Sequence, residues 1–458
     1  MNQFANQTGE KDMKNTNNSN KLAFHMLIAM VAGIITGLFF MSIRETIGTD
    51  STTWLTINNL LFQDITAEGA EKAIGLFYLC GQLFIRSLQL IIVPMVFSSV
   101  VMAINEIREA STLGRVAAKT IGWFMLTTCM ALTFAGFVSM MCFKSGLFNV
   151  ALTKISVCDG STGANPLQVI LNIIPSNIGA VFSVNNSVLS IVFIAVVVGL
   201  GLNTLNISKE KSFIYNLCDE ISKIIVVFLN FVVRKFGPVA IFMLLCRTFA
   251  TYGIDYLKPA IAYIIVCLVL LFTYLLIGYP IYIAIFCKLN PINFIKKMSK
   301  VMLFGFSTSS SAATLPLNME TNTEELGVDP QIASFVLPLG MTINMDGTAI
   351  MQVVATLFIA GCSGYNVSVF QLIIIMLLAL IASLGTPAAP GAGAVILFTI
   401  LSGVGFSSEP ALIAYSLILA INRPIEMLVT SLNCTGDAVA SIAVAKSEGK
   451  FNPEIYNK

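Results

Sequence analysis

The chain has 458 residues, 56% of them hydrophobic and 11% charged, with a net charge of +2 at neutral pH. Soluble domains carry about 25% charged residues, and a mean hydropathy of +0.84 sets this chain apart from them as one that needs lipid as solvent. So small a net charge excludes the basic faces of nucleic-acid binding, a single histidine (His25) excludes histidine-cluster chemistry, and the ten cysteines lack the C-x-x-C spacing of zinc or redox sites.

Residues 1–22 are polar and asparagine-rich, without the apolar core and cleavage site of a secretory signal, and read as a disordered cytoplasmic tail. Apolar runs of the roughly 20 residues that cross about 30 Å of hydrocarbon follow at 22–43, 80–104, 116–141, 187–203, 224–250 and 259–287. Arg108, Arg115 and Lys119 follow the second run, Lys209, Lys211 and Lys223 the fourth, and Lys288, Lys296, Lys297 and Lys300 the sixth. The 45–72 loop is acidic instead, with Glu45, Asp50, Asp64, Glu68 and Glu71. Positive loops stay inside, which predicts cytoplasmic termini in a multi-pass cell-membrane protein.

Beyond residue 300 the apolar segments are broken by small and polar residues. One break is Ser307-Thr308-Ser309-Ser310-Ser311-Ala312-Ala313-Thr314-Leu315-Pro316; the other is Gly385-Thr386-Pro387-Ala388-Ala389-Pro390-Gly391-Ala392-Gly393. Their flanks are short for a full crossing. Non-helical backbone at membrane depth survives only where it is buried in protein or lines a wet cavity, so two helical hairpins with tips that meet are predicted, a pattern that points to a transporter binding site. Close helix packing through small residues and an ordinary external loop are the competing explanations.

Between the breaks, Gly340-Met341-Thr342-Ile343-Asn344-Met345-Asp346-Gly347-Thr348 interrupts an apolar span. An aspartate at the bilayer centre costs about 2.5 to 3.5 kcal/mol even on the lenient insertion scale, so Asp346 requires a partner or an ion. On a regular helix Asn344 and Thr348 share a face and Asp346 points nearly opposite. Convergence therefore implies unwinding, which Gly340 and Gly347 permit, and the freed carbonyls would join an all-oxygen set suited to a hard cation. A hydrogen-bonded polar kink is the alternative. In the last span Asn422, Glu426, Thr430, Asn433 and Asp437 form one helical stripe facing the interior. Arg423 lies within intrahelical reach of Glu426, which leaves a structural ion pair open there; Asp437 has no cation within a turn and reads as a cation ligand. The serine run has no histidine or lysine nearby to act as a base, which argues against an enzyme. A passive channel remains as the other class.

These motifs, with Ile92-Val93-Pro94-Met95-Val96-Phe97, Ile174-Pro175-Ser176-Asn177-Ile178 and Asn433-Cys434-Thr435-Gly436-Asp437, resemble the dicarboxylate/amino acid:cation symporter family over about residues 22–450. The resemblance implies an all-α polytopic membrane protein of eight transmembrane helices and two re-entrant hairpins, with inverted repeats, in a homotrimer working as an elevator. It divides the chain into helices 1–6 over 23–290, with helices 1, 2, 4 and 5 as scaffold and 3 and 6 joined to the mobile part, a transport core over 291–450 and a cytoplasmic tail at 451–458. It implies a substrate site at Ser310, Ser311, Thr348, Ala389, Gly393, Glu426, Val429, Thr430 and Asn433. Co-transported sodium ions, and no organic cofactor, would sit at Gly340, Asn344, Asn433 and Asp437; at Thr342, Ser383 and Thr386; and at Asn344, Asp346, Thr127 and Thr128. Phe124 stands where the family often has a tyrosine. Val429 replaces the arginine of members selective for acidic substrates, while Glu426 keeps an acid for a substrate ammonium. The expected substrate is thus an α-amino acid with a neutral side chain, the alternatives being an acidic amino acid or C4-dicarboxylate and proton coupling.

Overall fold

The computed structural model describes residues 25, 28–66, 69–112, 115–149, 174–183, 188–205, 212–253, 257–384, 386 and 391–457. The predicted tail at 1–22, Lys209, Lys211, Ala389 and most of the second break lie outside them. Among the described residues the fold is almost entirely helical. In chain order come α1 (Ile28–Ile47), α2 (Leu76–Leu90), α3 (Ile92–Thr112), α4 (Arg115–Lys144), α5 (Val188–Thr204), α6 (Phe213–Phe231), α7 (Gly237–Tyr252), α8 (Leu257–Thr273) and α9 (Tyr279–Ile285). The C-terminal part holds α10 (Pro291–Thr308), α11 (Ser311–Glu320), α12 (Pro330–Ile343), α13 (Asp346–Cys362), α14 (Val369–Leu384), α15 (Ala392–Gly403), α16 (Glu409–Ile421) and α17 (Arg423–Ser447). Several are apolar and long enough to span a membrane, including α1, α4 and α17.

Prolines set the breaks that hydropathy alone misses. The run predicted at 80–104 is two helices, because Pro94 has no N–H for the Leu90 carbonyl and the ladder restarts at Met95, whose N–H reaches Ile91 at 2.9 Å. Wider π-turns at Val232–Phe236 and Tyr274–Gly278 precede Pro238 and Pro280, each proline removing one rung of the helix that carries it. Pro424 acts likewise. It separates α16 from α17 at Asn422, so it stands in the first turn of a helix and not in the middle of one.

Burial runs opposite to polarity. Ile28, Val31, Ile35 and Phe39 of α1 are all exposed at helical spacing, a lipid-facing stripe. In contrast all of α13 is buried, Asp346, Thr348, Gln352 and Thr356 included, and α4, α8, α14, α15, α16 and α17 surround it. α10 pairs with α11 and α14 with α15, and both α10 and α11 pack on α17. The longest apolar stretches thus form a wall around two polar helices, α13 and α17.

The chain's end is docked. Val328 and Phe451 form an antiparallel bridge, the Tyr456 hydroxyl donates to the Asn290 carbonyl at 2.8 Å, and Lys297 Nζ donates to the Ile455 carbonyl at 2.8 Å. Just past α17, Glu448 accepts from Arg115 Nη2 at 2.8 Å and Lys119 Nζ at 2.6 Å, tying α4 to α17. Hydrogen bonds from Arg115 and then Lys119 hold its carboxyl below the usual glutamate range. The contribution of a carboxylate so held is present at neutral pH and disappears as pH falls through that range. Glu448→Gln should therefore lower the melting temperature of the detergent-solubilised protein at pH 7, with the gap to wild type closing on acidification; a gap independent of pH would contradict this role.

Candidate substrate and cation site

The 344–348 motif unwinds as its side-chain pattern requires, but not at its glycines. α12 ends at Ile343, Asn344 (φ −95°, ψ 86°) and Met345 (φ −119°, ψ 55°) are non-helical, and α13 begins at Asp346. Gly340 and Gly347 sit inside helices and serve close approach instead. A Cβ on Gly340 would collide with Asp437 Oδ1 and lie 3.1 Å from Phe124 Cζ; one on Gly347 would lie 2.9 Å from the Val429 carbonyl oxygen and 3.1 Å from Asn433 Oδ1.

The break aims Asn344 at one acid and leaves the other to hydroxyls from neighbouring helices. Asn344 Nδ2 donates to Asp437 Oδ1 at 3.1 Å, and its Oδ1 accepts from Thr127 Oγ1 at 3.3 Å. Asp346 accepts from Thr128 Oγ1 at 2.6 Å and from the Tyr279 hydroxyl at 2.8 Å. Asp346 is 0% and Asp437 2% exposed, and their hydrogen-bond partners among the described residues are hydroxyls and one amide. One turn before Asp437, Asn433 Oδ1 accepts from the Gly347 N–H at 2.8 Å and its Nδ2 donates to Thr348 Oγ1 at 3.2 Å. Thr127, Thr128, Gly340, Asn344, Asp346, Asn433 and Asp437 therefore form one cluster held between α4, α12, α13 and α17.

The first helical pair meets α17 beside this cluster, at Cys434. Ser309 ends α10 in the left-handed region (φ 50°, ψ 32°), a conformation that few non-glycine residues hold without local support. Ser310 caps α11, accepting from the Ala313 N–H at 3.3 Å, and buried Ser311 stands within hydrogen-bond reach of the Cys434 thiol, beside Asn433. Asn318 Nδ2 fixes that arm to the Cys434 carbonyl at 2.9 Å. The second pair meets α13. Gln352 Nε2 donates to the Gly393 carbonyl at 3.2 Å, and a Cβ on Gly393 would lie 3.2 Å from Thr348 Cγ2.

Glu426 lies where α15 and α17 begin. Asn422 Nδ2 donates to its Oε1 at 3.4 Å, Arg423 Nη1 stands 3.7 Å from its Oε2, and the Ala394 N–H donates to it. The intrahelical pair left open by the sequence is thus present. Thr430 Oγ1 donates to the Glu426 carbonyl at 3.1 Å, and Val429 is buried, its backbone against Gly347. Thr342, Ser383 and Thr386 are less united. Each donates to a carbonyl of its own turn, Leu339 at 3.0 Å, Leu380 at 2.8 Å and Ala382 at 2.8 Å, although α12 and α14 touch.

Four partners went unremarked in the sequence. Tyr279 supplies a hydroxyl to Asp346; Tyr274 donates to the Thr127 carbonyl at 2.7 Å; Gln352 and Asn318 anchor the two helical pairs. Three tyrosines at 274, 279 and 282 within an apolar run, and Gln352 one turn after Thr348, are the signals that mark them.

Residues 22–447 match the sodium:dicarboxylate symporter family. The chain belongs to this family. Its members are transporters, and several apolar helices agree with a multi-pass cell-membrane protein. The symporter is 30% identical over 446 residues, 94% of each chain, to the "Proton/glutamate-aspartate symporter" of Escherichia coli (strain K12). It is 27% identical over 443 residues, 94% of this chain and 96% of the other, to the "Proton/sodium-glutamate symport protein" of Bacillus caldotenax. Against the "C4-dicarboxylate transport protein" of Bacillus subtilis (strain 168) it is 28% identical over 410 residues, 86% of this chain and 94% of the other.

The tight approach at Gly340 is testable. Gly340→Ala should destabilise the symporter by about 1 to 3 kcal/mol, as overpacking does, in thermal unfolding in detergent. Gly122→Ala, whose Cβ would meet nothing within 4 Å, should not lower the melting temperature, since an unhindered helical alanine is favoured over glycine; equal losses in both variants would show that the packing at Gly340 is ordinary.

Proposed function

We propose that this protein is a cation-coupled symporter that concentrates an acidic amino acid or C4-dicarboxylate across the cell membrane. The observation that carries the reading is the pair of buried carboxylates at a helix break, Asp346 at the start of α13 and Asp437 bonded by Asn344, partnered only by neutral groups among the described residues. Removing the partner of a buried charge typically costs about 3 to 5 kcal/mol, so the pair favours any cation that can enter. One cation would take Gly340, Asn344, Asn433 and Asp437; a second, Asn344, Asp346, Thr127 and Thr128. Thr342, Ser383 and Thr386 would complete a third site only if their hydroxyls turned from their own helices. Sodium suits the oxygen ligands. The relatives' names support protons as the second reading, and the two hydroxyl donors on Asp346 are compatible with it.

Cation binding at Asp437 would fix Asn433 and the 344–348 backbone, and with them the Thr348 hydroxyl, the Ser310–Ser311 tip and the Gly393 turn that would receive a substrate carboxylate. A half-loaded site would carry an uncompensated carboxylate into hydrocarbon, which couples the two cargoes. α10–α17 with α4 and α8 would move as one body, the two helical pairs acting as re-entrant gates in a homotrimer with cytoplasmic termini. The names of the relatives support an acidic substrate over the neutral one that Val429 suggests.

The test is uptake into liposomes of purified protein under an inward sodium gradient or an inward proton gradient, offering aspartate, succinate and a neutral amino acid. Concentrative uptake of an acidic solute under either gradient is expected. Asp437→Asn should reduce uptake at low cation concentration by at least about 100-fold, the kinetic equivalent of losing one buried charge partner. Normal uptake by that variant, or equilibration without concentration, would exclude the proposed coupling.

A further inference from the structure

The first helical pair is a lever with its tip at Ser309–Ser310. α10 has 18 residues, or about 27 Å at the α-helical rise, so a tilt of about 5° at its base would shift the tip by about 2 Å, enough to break a hydrogen bond. The returning arm is the weaker one. α11 has 10 residues with Pro316 inside, which removes a rung of the helix, and a wider π-turn at Thr321–Glu325 follows it.

Residues 450–457 cross that base. The Asn452 N–H donates to the Gly327 carbonyl at 2.7 Å and the Asp329 N–H to the Lys450 carbonyl at 3.1 Å, on either side of the Val328–Phe451 bridge. Gly327 has a φ of 74°, and a Cβ there would collide with the Asn452 carbonyl oxygen, so the link between α11 and α12 is shaped to receive this segment.

Lys297, on α10, ties both arms to the segment. An ammonium has three protons to donate, and this one serves the carbonyls of Glu325 at 2.8 Å, Ile455 at 2.8 Å and Tyr456 at 2.9 Å. Those bonds join three stretches that are distant in sequence and fix their separation. The ammonium also stands 5.6 Å from the centre of the Tyr456 ring, within cation–π range. Tyr456 is fully buried, and its hydroxyl returns to Asn290, the cap of α10, at 2.8 Å from the carbonyl. Phe451 packs on the Tyr456 ring, and Lys446, in the last turn of α17, lies over Phe451 and donates to the Cys287 carbonyl. The Lys300–Glu325 ion pair also links the arms, but its side chains are partly exposed and such pairs contribute little.

We infer that residues 450–457 are a strap that closes the base of the first helical pair, with Lys297 and Tyr456 as the positioning residues through which it holds the tip beside α17. With the strap in place α10, α11, α12 and α17 form one unit, and any opening of this gate is confined to its tip. Without it the arms splay, and bound solute escapes out of step with its cation. The consequence for transport rests on the symport reading above; the closure of the base does not.

Two readouts keep these apart. In detergent, Ser309→Cys places a thiol at the tip, where Ser309 is buried, and its maleimide labelling is followed by peptide mass spectrometry. Adding Lys297→Met, or ending the chain at Gly449, should raise that rate about 10-fold, as a local opening does, while labelling of buried Cys267 on α8 stays unchanged. Lys297→Arg should restore most of the protection. A rise at both positions, the mark of general loosening, or at neither overturns the strap. In liposomes, Lys297→Met should raise efflux of preloaded aspartate without a cation gradient about 10-fold relative to uptake; an unaltered ratio beside a raised tip labelling defeats the consequence for transport. Val328 and Phe451 form a non-hydrogen-bonded pair, with Cα atoms about 4.5 Å apart in such pairs, close enough for a disulfide. Oxidising Val328→Cys with Phe451→Cys should leave uptake at its reduced level, and uptake lost on oxidation but regained on reduction would show that the strap opens in each cycle, contrary to the inference. If Lys297→Met does not fold, Tyr456→Phe, which lacks only the hydroxyl, is judged by the same criteria. Wild type that concentrates no solute under either gradient defeats the symport reading, and the labelling then decides the strap by itself.

Discussion

The arrangement depends on burying two carboxylates that, among the described residues, have only neutral hydrogen-bond partners. Asp346 and Asp437 lie on different helices, α13 and α17, and Asn344 touches the structure around both, donating to Asp437 and accepting from Thr127 beside the Asp346 partner Thr128. Such a cluster is tolerable in the interior of a membrane protein only while every oxygen has a donor or an ion. Hydroxyls serve both oxygens of Asp346 and one amide serves Oδ1 of Asp437, and among the described residues no cationic side chain is paired with either acid, which leaves room for an ion.

Backbone geometry follows from that requirement. A continuous helix through 340–348 would turn Asp346 away from Asn344 and Thr348; two non-helical residues at Asn344 and Met345 remove the conflict. Glycine then contributes space. At Gly340 and Gly347 the absent Cβ lets α17 come close enough for Asp437 and Asn433 to reach across. At Gly436 a Cβ would lie 3.0 Å from Asn344 Nδ2 and collide with the Tyr279 hydroxyl, so the same device brings in the ring that serves Asp346. Helices α4 and α8 pack on α13 beside the cluster, and burial keeps the local dielectric low and the electrostatic interactions strong.

The two ends of α17 are handled differently. At its C-terminus Glu448 meets Arg115 and Lys119 near water, where an ion pair contributes modestly and mainly ties two helices together. At its N-terminus the Arg423–Glu426 pair is mostly buried, and Asn422 and the Ala394 N–H share the Glu426 carboxylate with the guanidinium, so the charge is compensated locally within the protein interior.

The amino-acid sequence by itself determined the solvent, the class and the chemistry. Composition required lipid, the asymmetry of Lys and Arg suggested an orientation, and polar residues in apolar spans marked 307–316, 340–348 and the last helix as the places of interest, because a polar group in hydrocarbon must have a reason to be there. It also marked the unwinding at 344–348, since side-chain directions on a helix are fixed by its period. Tertiary structure decided what periodicity along one chain cannot encode. It selected the pairing of Asn344 with Asp437 across 93 residues, the Tyr279 hydroxyl that meets Asp346 from another helix, the split of the 80–104 span at Pro94, and the use of Gly340 and Gly347 for contact and not for bending. It also left Thr342, Ser383 and Thr386 bonded to their own helices. Local patterns specify which groups are present and which face they share, whereas the distance between two faces depends on how whole helices pack, and only the packed fold sets it.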